Sequence, residues 1–214
     1  MPRLVLDIST SLDGFVAGPS PGLEHPLGIG GERLHEWAVA TKAFREAHNR
    51  EGGEENRDSE VLAEGIQKAG ATIMGRRMFS GGQGPWADDP NADGWWGENP
   101  PFHHPVFVLT HHPRETVTKE GGTTFTFVTD GIEPAFEQAR AAAGEKDIAI
   151  GGGADVAQQY LNAGLLDELQ IHLAPVLLGD GTRLFEGHAE YPELELTRVV
   201  DSPAVTHLRY RVLK

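Results

Sequence analysis

The stretch 147–161, DIAIGGGADVAQQYL, carries the residue pattern richest in chemistry. A short apolar run, Ile148, Ala149 and Ile150, leads into Gly151, Gly152 and Gly153, and an amphipathic helical pattern begins at Ala154. Three residues without side chains at a helix start leave backbone N–H groups uncovered and let an anion come close, where the helix dipole also favours negative charge. A pyrophosphate group suits such a place. Glycines there also make a plain strand-to-helix turn, and both readings stay open. The spacing matches neither the G-x-G-x-x-G fingerprint nor the G-x-x-x-x-G-K-[ST] loop, so kinase and ATPase chemistry has no support.

A second pattern is 71–79, ATIMGRRMF, in which a strand run ends at Gly75 and is followed by Arg76 and Arg77. The chain has 18 Lys and Arg against 32 Asp and Glu. An arginine pair beyond a strand's carboxyl end is either a phosphate clamp, since ligands of α/β sheets sit outside those ends, or an ion pair with a surplus carboxylate. His103, His104, His111 and His112 bracket one strand run. Neighbours on an extended chain point apart and no carboxylate completes a ligand set, so no metal site is expected. Asp58 and Ser59 head a helical pattern, where such residues cap. Asp13-Gly14 and Gly179-Asp180-Gly181 read as turns.

These residues need elements to hold them. Strand runs fall at 3–9, 71–74, 105–110, 123–129, 147–150, 168–178, 194–200 and 204–213, and helical patterns at 32–48, 59–69, 133–143 and 154–163. Strands and helices alternate and then give way to a strand-only end. That order predicts an α/β fold with a mixed sheet whose last two strands form an antiparallel hairpin. Two stretches are long for α/β loops: 18–31 with 49–58, and 80–104. The second contains Trp86, Trp95, Trp96 and Phe102, which are costly to leave in water, so it is expected to fold over a pocket or a subunit interface.

Composition narrows the function classes. At 214 residues the chain suits one large domain, 1–214. A net charge of −14 argues against a protein that tracks nucleic acid or anionic lipid. Cysteine is absent, which removes disulfides, thiolate metal sites and cysteine nucleophiles. No apolar run of about 18 residues exists to span a membrane, and the first residues read straight into a strand without a secretory pattern, so a cytoplasmic location is expected.

The string IMGRRMF, followed by VFVLTHHP and then AIGGGADVAQQYL, resembles the ordered cofactor-binding motifs of the dihydrofolate reductase superfamily. The opening ISTSLDGFVAG and the late APVLLGDGTRLF resemble its riboflavin-biosynthesis reductase branch, including stand-alone relatives. The matches reach from residue 4 to residue 185, with insertions at about 18–58 and 80–104. The resemblance implies a dihydrofolate-reductase-like three-layer fold around a sheet of about eight strands, mostly parallel. It implies an NADPH-dependent reductase that passes hydride to a small heterocyclic or carbonyl substrate, either a ribosylamino-uracil type or a dihydrofolate type, and a homodimer. Gly75, Arg76, Arg77 and Met78 would meet the NADPH phosphates, and Thr110 with His111 the adenosine ribose and 2'-phosphate. Gly151, Gly152, Gly153, Ala154, Asp155 and Val156 would hold the pyrophosphate and nicotinamide side.

Two departures stand out: Met78 replaces a usual Thr, and Thr110 with His111 replaces an often-found serine pair. On the substrate side the resemblance points to Asp13, Gly14, Phe15, Leu178 and Gly179, with Asp13 and Asp58 as the candidate catalytic carboxylates. The bifunctional riboflavin enzyme carries a zinc deaminase with His and Cys ligands; a chain without cysteine is expected to act as a reductase unit alone, which leaves a different acceptor open. A nucleotide-binding protein without turnover and a structural oligomer are the competing readings.

Overall fold

The computed structural model describes residues 2–186 and 191–214. A nine-stranded sheet runs through it, built from β1 (Leu4–Thr10), β3 (Ala69–Gly75), β4 (Pro105–Leu109), β5 (Val117–Thr118), β6 (Thr124–Val128), β7 (Asp147–Gly152), β8 (Glu168–Leu173), β10 (Leu194–Asp201) and β11 (Thr206–Val212). Its order is β10-β11-β8-β1-β7-β3-β4-β6-β5. From β8 to β6 every neighbouring pair is parallel, whereas β10, β11 and β5 are antiparallel additions at the edges. Two further strands, β2 (Phe15–Ala17) and β9 (Thr182–Arg183), pair separately. The mostly parallel α/β sheet with a C-terminal hairpin is the expected fold, with one more strand than the sequence count because two-residue β5 is too short to show a period.

Among the described residues six α-helices flank the sheet: α1 (Glu36–Val39), α2 (Lys42–Ala47), α3 (Arg57–Lys68), α4 (Arg76–Ser80), α5 (Ile132–Ala143) and α6 (Ala154–Asn162). Alternation along β1 assigns the layers. Leu4 and Leu6 join Ile73, Ile148 and Ile150 in a core closed by Ala135, Ala139 and Ala143 of α5 and Ala157, Tyr160 and Leu161 of α6. Alanines on the inner face of α5 let that helix lie close to the sheet. The buried Tyr160 hydroxyl donates to the Ile132 carbonyl at 2.8 Å and ties the two helices together. On the opposite face, Ser9 accepts from the Trp37 indole at 3.1 Å, and Trp37 packs with Ala38, Val205, Phe44 and Leu62. Sheet and two helical coats make three layers.

Three boundaries differ from the sequence expectation, each for a local reason. The pattern at 32–48 is not one helix: a 3-10 turn at Gly31–His35 precedes α1, and Thr41 separates α1 from α2. The fully buried Thr41 donates its hydroxyl to the Ala38 carbonyl and accepts from the Phe44 N–H, so it ends one helix and caps the next. The start of α3 lies at Arg57, and the cap is Asn56, whose side chain accepts from the Ser59 N–H at 2.9 Å; neither Asp58 nor Ser59 fills that role. Strand β8 stops at Leu173 because Pro175 cannot donate to a ladder, and Val176 turns back onto the Ala174 carbonyl.

Candidate functional site

A cavity of about 580 Å³ opens at the carboxyl ends of the central parallel strands, where the chain leaves β1, β3, β4, β6 and β7. That is where α/β sheets hold ligands, and the volume suits a small molecule or part of a dinucleotide. Every residue that the three motifs singled out for the cofactor lines it: Gly75, Arg76, Arg77 and Met78 after β3, Thr110 and His111 after β4, and Gly151, Gly152, Gly153, Ala154, Asp155 and Val156 across the β7–α6 junction. Segments far apart in sequence converge because β3 lies between β4 and β7, with Gly75 paired to Leu109 and Met74 to Gly152.

The β7–α6 junction offers a bare wall. Gly152 has φ +119, a conformation that side-chain-bearing residues rarely adopt, and a Cβ there would stand 3.8 Å from the Met78 sulfur. Among the described residues no atom outside its immediate chain neighbours lies within 4 Å of a Cβ built on Gly153. Gly153 is also the N-cap of α6 and supplies no capping side chain, so the first-turn N–H groups of Ala154, Asp155 and Val156 have no partner within the helix. The exposed Asp155 carboxylate suits the helix dipole and opposes an incoming anion.

The two arginines behave differently. Arg76 is buried, and its guanidinium contacts the Asp89 carboxylate at 2.5 Å, the Ser80 hydroxyl, and the Trp86 ring, whose centroid is 3.5 Å away. Among the described residues its Nε has no hydrogen-bond partner. Burial raises the Asp89 pKa, but hydrogen bonds from Ser80 and Arg76 outweigh it and hold the carboxyl below its ordinary range. Arg77 is exposed in the cavity wall with the Gln83 side-chain amide against its guanidinium.

The segment 80–104 contributes Gln83 and Trp95 to this wall. Phe79 is fully buried, and Trp86, Trp96 and Phe102 pack around it with Phe125 and Phe127, while Trp95 lines the cavity. The Trp86 indole N–H donates to the His112 carbonyl at 2.9 Å, which ties the segment to the end of β4.

The other predicted residues do not line the cavity. Asp13 accepts from the Leu178 N–H at 3.2 Å and the Gly179 N–H at 2.7 Å, while its own carbonyl accepts from Arg183. The Ser11 hydroxyl, with those two N–H groups, holds its carboxyl down at about 2. Gly14 accepts from the Leu184 N–H, and the Arg183 guanidinium lies 4.4 Å from the centroid of the Phe15 ring. Gly181, at φ +137, lies so close to Ala17 that a Cβ would stand 2.1 Å from its carbonyl oxygen. The two motifs thus form one clasp, β2 against β9, that carries Val16, Ala17 and Thr182 to the cavity.

Asp58 lies elsewhere, on the α3 side of the sheet. Its Oδ1 meets His207 Nε2 at 3.0 Å and its Oδ2 accepts from the Ser202 hydroxyl at 3.0 Å. His207 Nδ1 faces His172 Nδ1 at 2.6 Å, and His172 Nε2 reaches Asp7 at 2.7 Å. Sequence reasoning missed this chain because its members are scattered over four elements. It also missed His35, which lines the cavity from the 3-10 turn before α1. Burial lowers the His35 pKa, and among the described residues its Nδ1 has no hydrogen-bond partner. No motif surrounds His35 in the sequence. Among the described residues no group of three or more His, Asp or Glu side chains converges as a metal site.

Comparison with known proteins places this geometry in context. The family described as the RibD C-terminal domain matches residues 2–208. An uncharacterized protein of Bacillus subtilis (strain 168), YyaP, is 23% identical over 189 residues, covering 86% of this chain and 80% of its own length. A solved structure from Shewanella sp. PV-4, named for riboflavin biosynthesis, is 21% identical with a TM-score of 0.62, and the match covers 100% of both chains. A Thermotoga maritima diaminohydroxyphosphoribosylaminopyrimidine deaminase/5-amino-6-(5-phosphoribosylamino)uracil reductase is 14% identical with a TM-score of 0.55; the match covers 99% of this chain and 57% of that one. At these identities the structural likenesses bear on the fold.

Proposed function

The chain belongs to the RibD C-terminal domain family, and from that premise we propose that it is an NADPH-dependent reductase acting on a small heterocyclic or carbonyl substrate, the ribosylamino-uracil type first among them. The observation that carries the reading is the convergence of three separate motifs on one cavity at the carboxyl ends of the parallel strands. The residues present fit a dinucleotide. Gly152 and Gly153 leave room for a pyrophosphate beside the uncapped start of α6, and Arg77 supplies a cation nearby. The bound cofactor would supply the hydride.

The chain's own part is alignment and exclusion of water. The β2–β9 clasp, held through Asp13, sets the height of Val16, Ala17 and Thr182 against the glycine wall. In this reading Asp13 shapes the pocket without touching the reacting atoms, and Asp58 braces α3 against the hairpin. Gly14, Phe15, Leu178 and Gly179 act through the same clasp. We assign the activity to the cytoplasm, with a homodimer as the working form. Exposed Leu194, Leu196 and Val199 along the edge strand β10 support a second copy packing there.

Titration of the purified protein with NADPH and NADH, followed by cofactor fluorescence and thermal stabilisation, tests the reading. Micromolar NADPH binding, and NADPH oxidation with a pyrimidine acceptor, are the expected results. Binding without oxidation across an acceptor screen favours a nucleotide-binding protein, and binding of neither nucleotide removes the reductase.

A further inference from the structure

We propose that the end of the cavity beneath the 18–35 segment takes an uncharged heterocyclic or carbonyl acceptor without a phosphate group, and that His35 is the residue that recognises its polar atom. The inference rests on the reductase reading above and narrows its substrate class.

Sheet order separates the two ends of the cavity. The glycine wall and both arginines stand at the ends of β7 and β3, whereas β1, on the other side of β7, leads to Ile8 and through the clasp to Val16. Pro21, Pro26 and Leu27 complete the wall at this end. The segment that carries them is folded shut on itself. The Gly18 N–H donates to the Leu27 carbonyl at 2.8 Å and the Ile29 N–H to the Pro19 carbonyl at 2.9 Å. Gly28, at φ +72, lies so close to Gly18 that a Cβ would stand 2.0 Å from its carbonyl oxygen, so the loop closes only because residue 28 has no side chain. An apolar surface is thereby set in place ahead of any ligand.

Charge divides the cavity in the same way. Among the described lining residues every Lys, Arg, Asp or Glu, namely Arg76, Arg77 and Asp155, lies on α4 or α6. A phosphate monoester is nearly doubly charged near neutrality, and enclosing it at the β1 end without a cation is costly. His35 is the ionisable side chain at that end, on the last residue of the 3-10 turn that packs on β1 and β2. Burial keeps its ring uncharged near neutrality, with the Gly31 backbone opposing the fall in pKa and His172 adding to it. A neutral imidazole offers one N–H donor and one nitrogen acceptor, and no charge to match an anion. Nδ1 is enclosed and, among the described residues, has no hydrogen-bond partner, so the ring meets the cavity by the edge that carries Nε2. That edge suits a carbonyl or ring N–H of a heterocycle, and the apolar wall suits the rest of it.

Calorimetric titration with saturating NADP+, which keeps other phosphates out of the cofactor end, tests the assignment with 1,3-dimethyluracil, uridine and uridine 5'-monophosphate as probes. The monophosphate is expected to bind within about threefold of uridine, and 1,3-dimethyluracil at least as tightly as uridine. His35→Leu should weaken 1,3-dimethyluracil about 10-fold, with His35→Gln recovering part of the loss and NADP+ affinity unchanged within about twofold. The imidazole nitrogen resonances of His35 should also move when the probe is added, which a purely structural ring would not show. If His35→Leu does not fold, His35→Gln and the resonances decide. A larger gain from the phosphate, no binding of either uncharged probe at about 10 mM, or variant affinities and resonances that stay unchanged would overturn the assignment while the reductase reading survives. Failure of the wild-type protein to bind NADP+ and NADPH removes the reductase reading and this inference with it.

Discussion

Replacing Asp58 separates a catalytic from a bracing carboxylate. In Asp58→Ala, His207 Nε2 loses its acceptor at 3.0 Å and the Ser202 hydroxyl loses the other carboxylate oxygen. Both Asp58 and His207 are buried, 3% exposed each, so water does not readily take their place. The loss travels further. Asp58, His207, His172 and Asp7 form one line of contacts, and Trp37 packs against both rings at 4.6 and 5.1 Å. Burial pushes the His207 pKa down, so the contact counts as a hydrogen bond to a buried carboxylate rather than a full ion pair, and losing it costs about 3 kcal/mol. For a chain of this size that is a fall in melting temperature of about 6 to 12 °C. Asp58→Asn keeps an acceptor for His207 and should recover part of it. The assays are thermal unfolding, NADPH affinity and single-turnover reduction, with kinetics taken at about 15 °C so that the variant stays folded. A turnover loss of a thousandfold or so with an unchanged melting temperature would refute the bracing role and return Asp58 to the chemistry.

Four further outcomes follow from the same geometry. Asp155→Asn removes the exposed carboxylate from the first turn of α6 and should tighten pyrophosphate-bearing ligands about two- to fivefold at low salt, an effect that fades as salt is raised; isothermal titration at two ionic strengths reads it. Burial, with Lys146 and His103 adding, pushes the His104 pKa from 6.5 down to about 4. The unfolded chain then binds the proton first as pH falls, so stability is full above about 6.5 and is lost toward 4, by roughly 3 kcal/mol at most. Denaturant midpoints should therefore drop from pH 7 to pH 4.5, and less so in His104→Gln. Gly181→Ala drives a methyl into the Ala17 carbonyl and should unfasten the β2–β9 clasp, seen as a loss of substrate-side activity larger than any loss of NADPH affinity. Leu196→Asp on the exposed edge of β10 should give a monomer by sedimentation if a second copy packs there.

The sequence was most legible where function and backbone geometry impose the same residues. GGG after a buried strand, the turn after IMG, and Thr110 with His111 all lie at carboxyl ends of parallel strands, and one sheet order brings them together. The two motifs at 11–18 and 174–185 read as separate turns in sequence. Only the clasp shows why both contain glycine and aspartate: Asp13 needs free N–H groups at 178 and 179, and Gly181 needs no side chain against Ala17.

What stayed hidden depends on pairing at long range. An arginine doublet carries no mark of which member is neutralised, since that depends on Asp89 folding back across thirteen residues onto Arg76. Asp58 sits at a helix start, where it reads either as a cap or as a catalytic acid, yet its role is set by His207 on a strand 149 residues away. His35 has an orphaned ring nitrogen, not a motif, as its only distinguishing property, and burial creates that property. Local spacing therefore identifies where a ligand can bind, whereas the state of each charged group is a property of the assembled core.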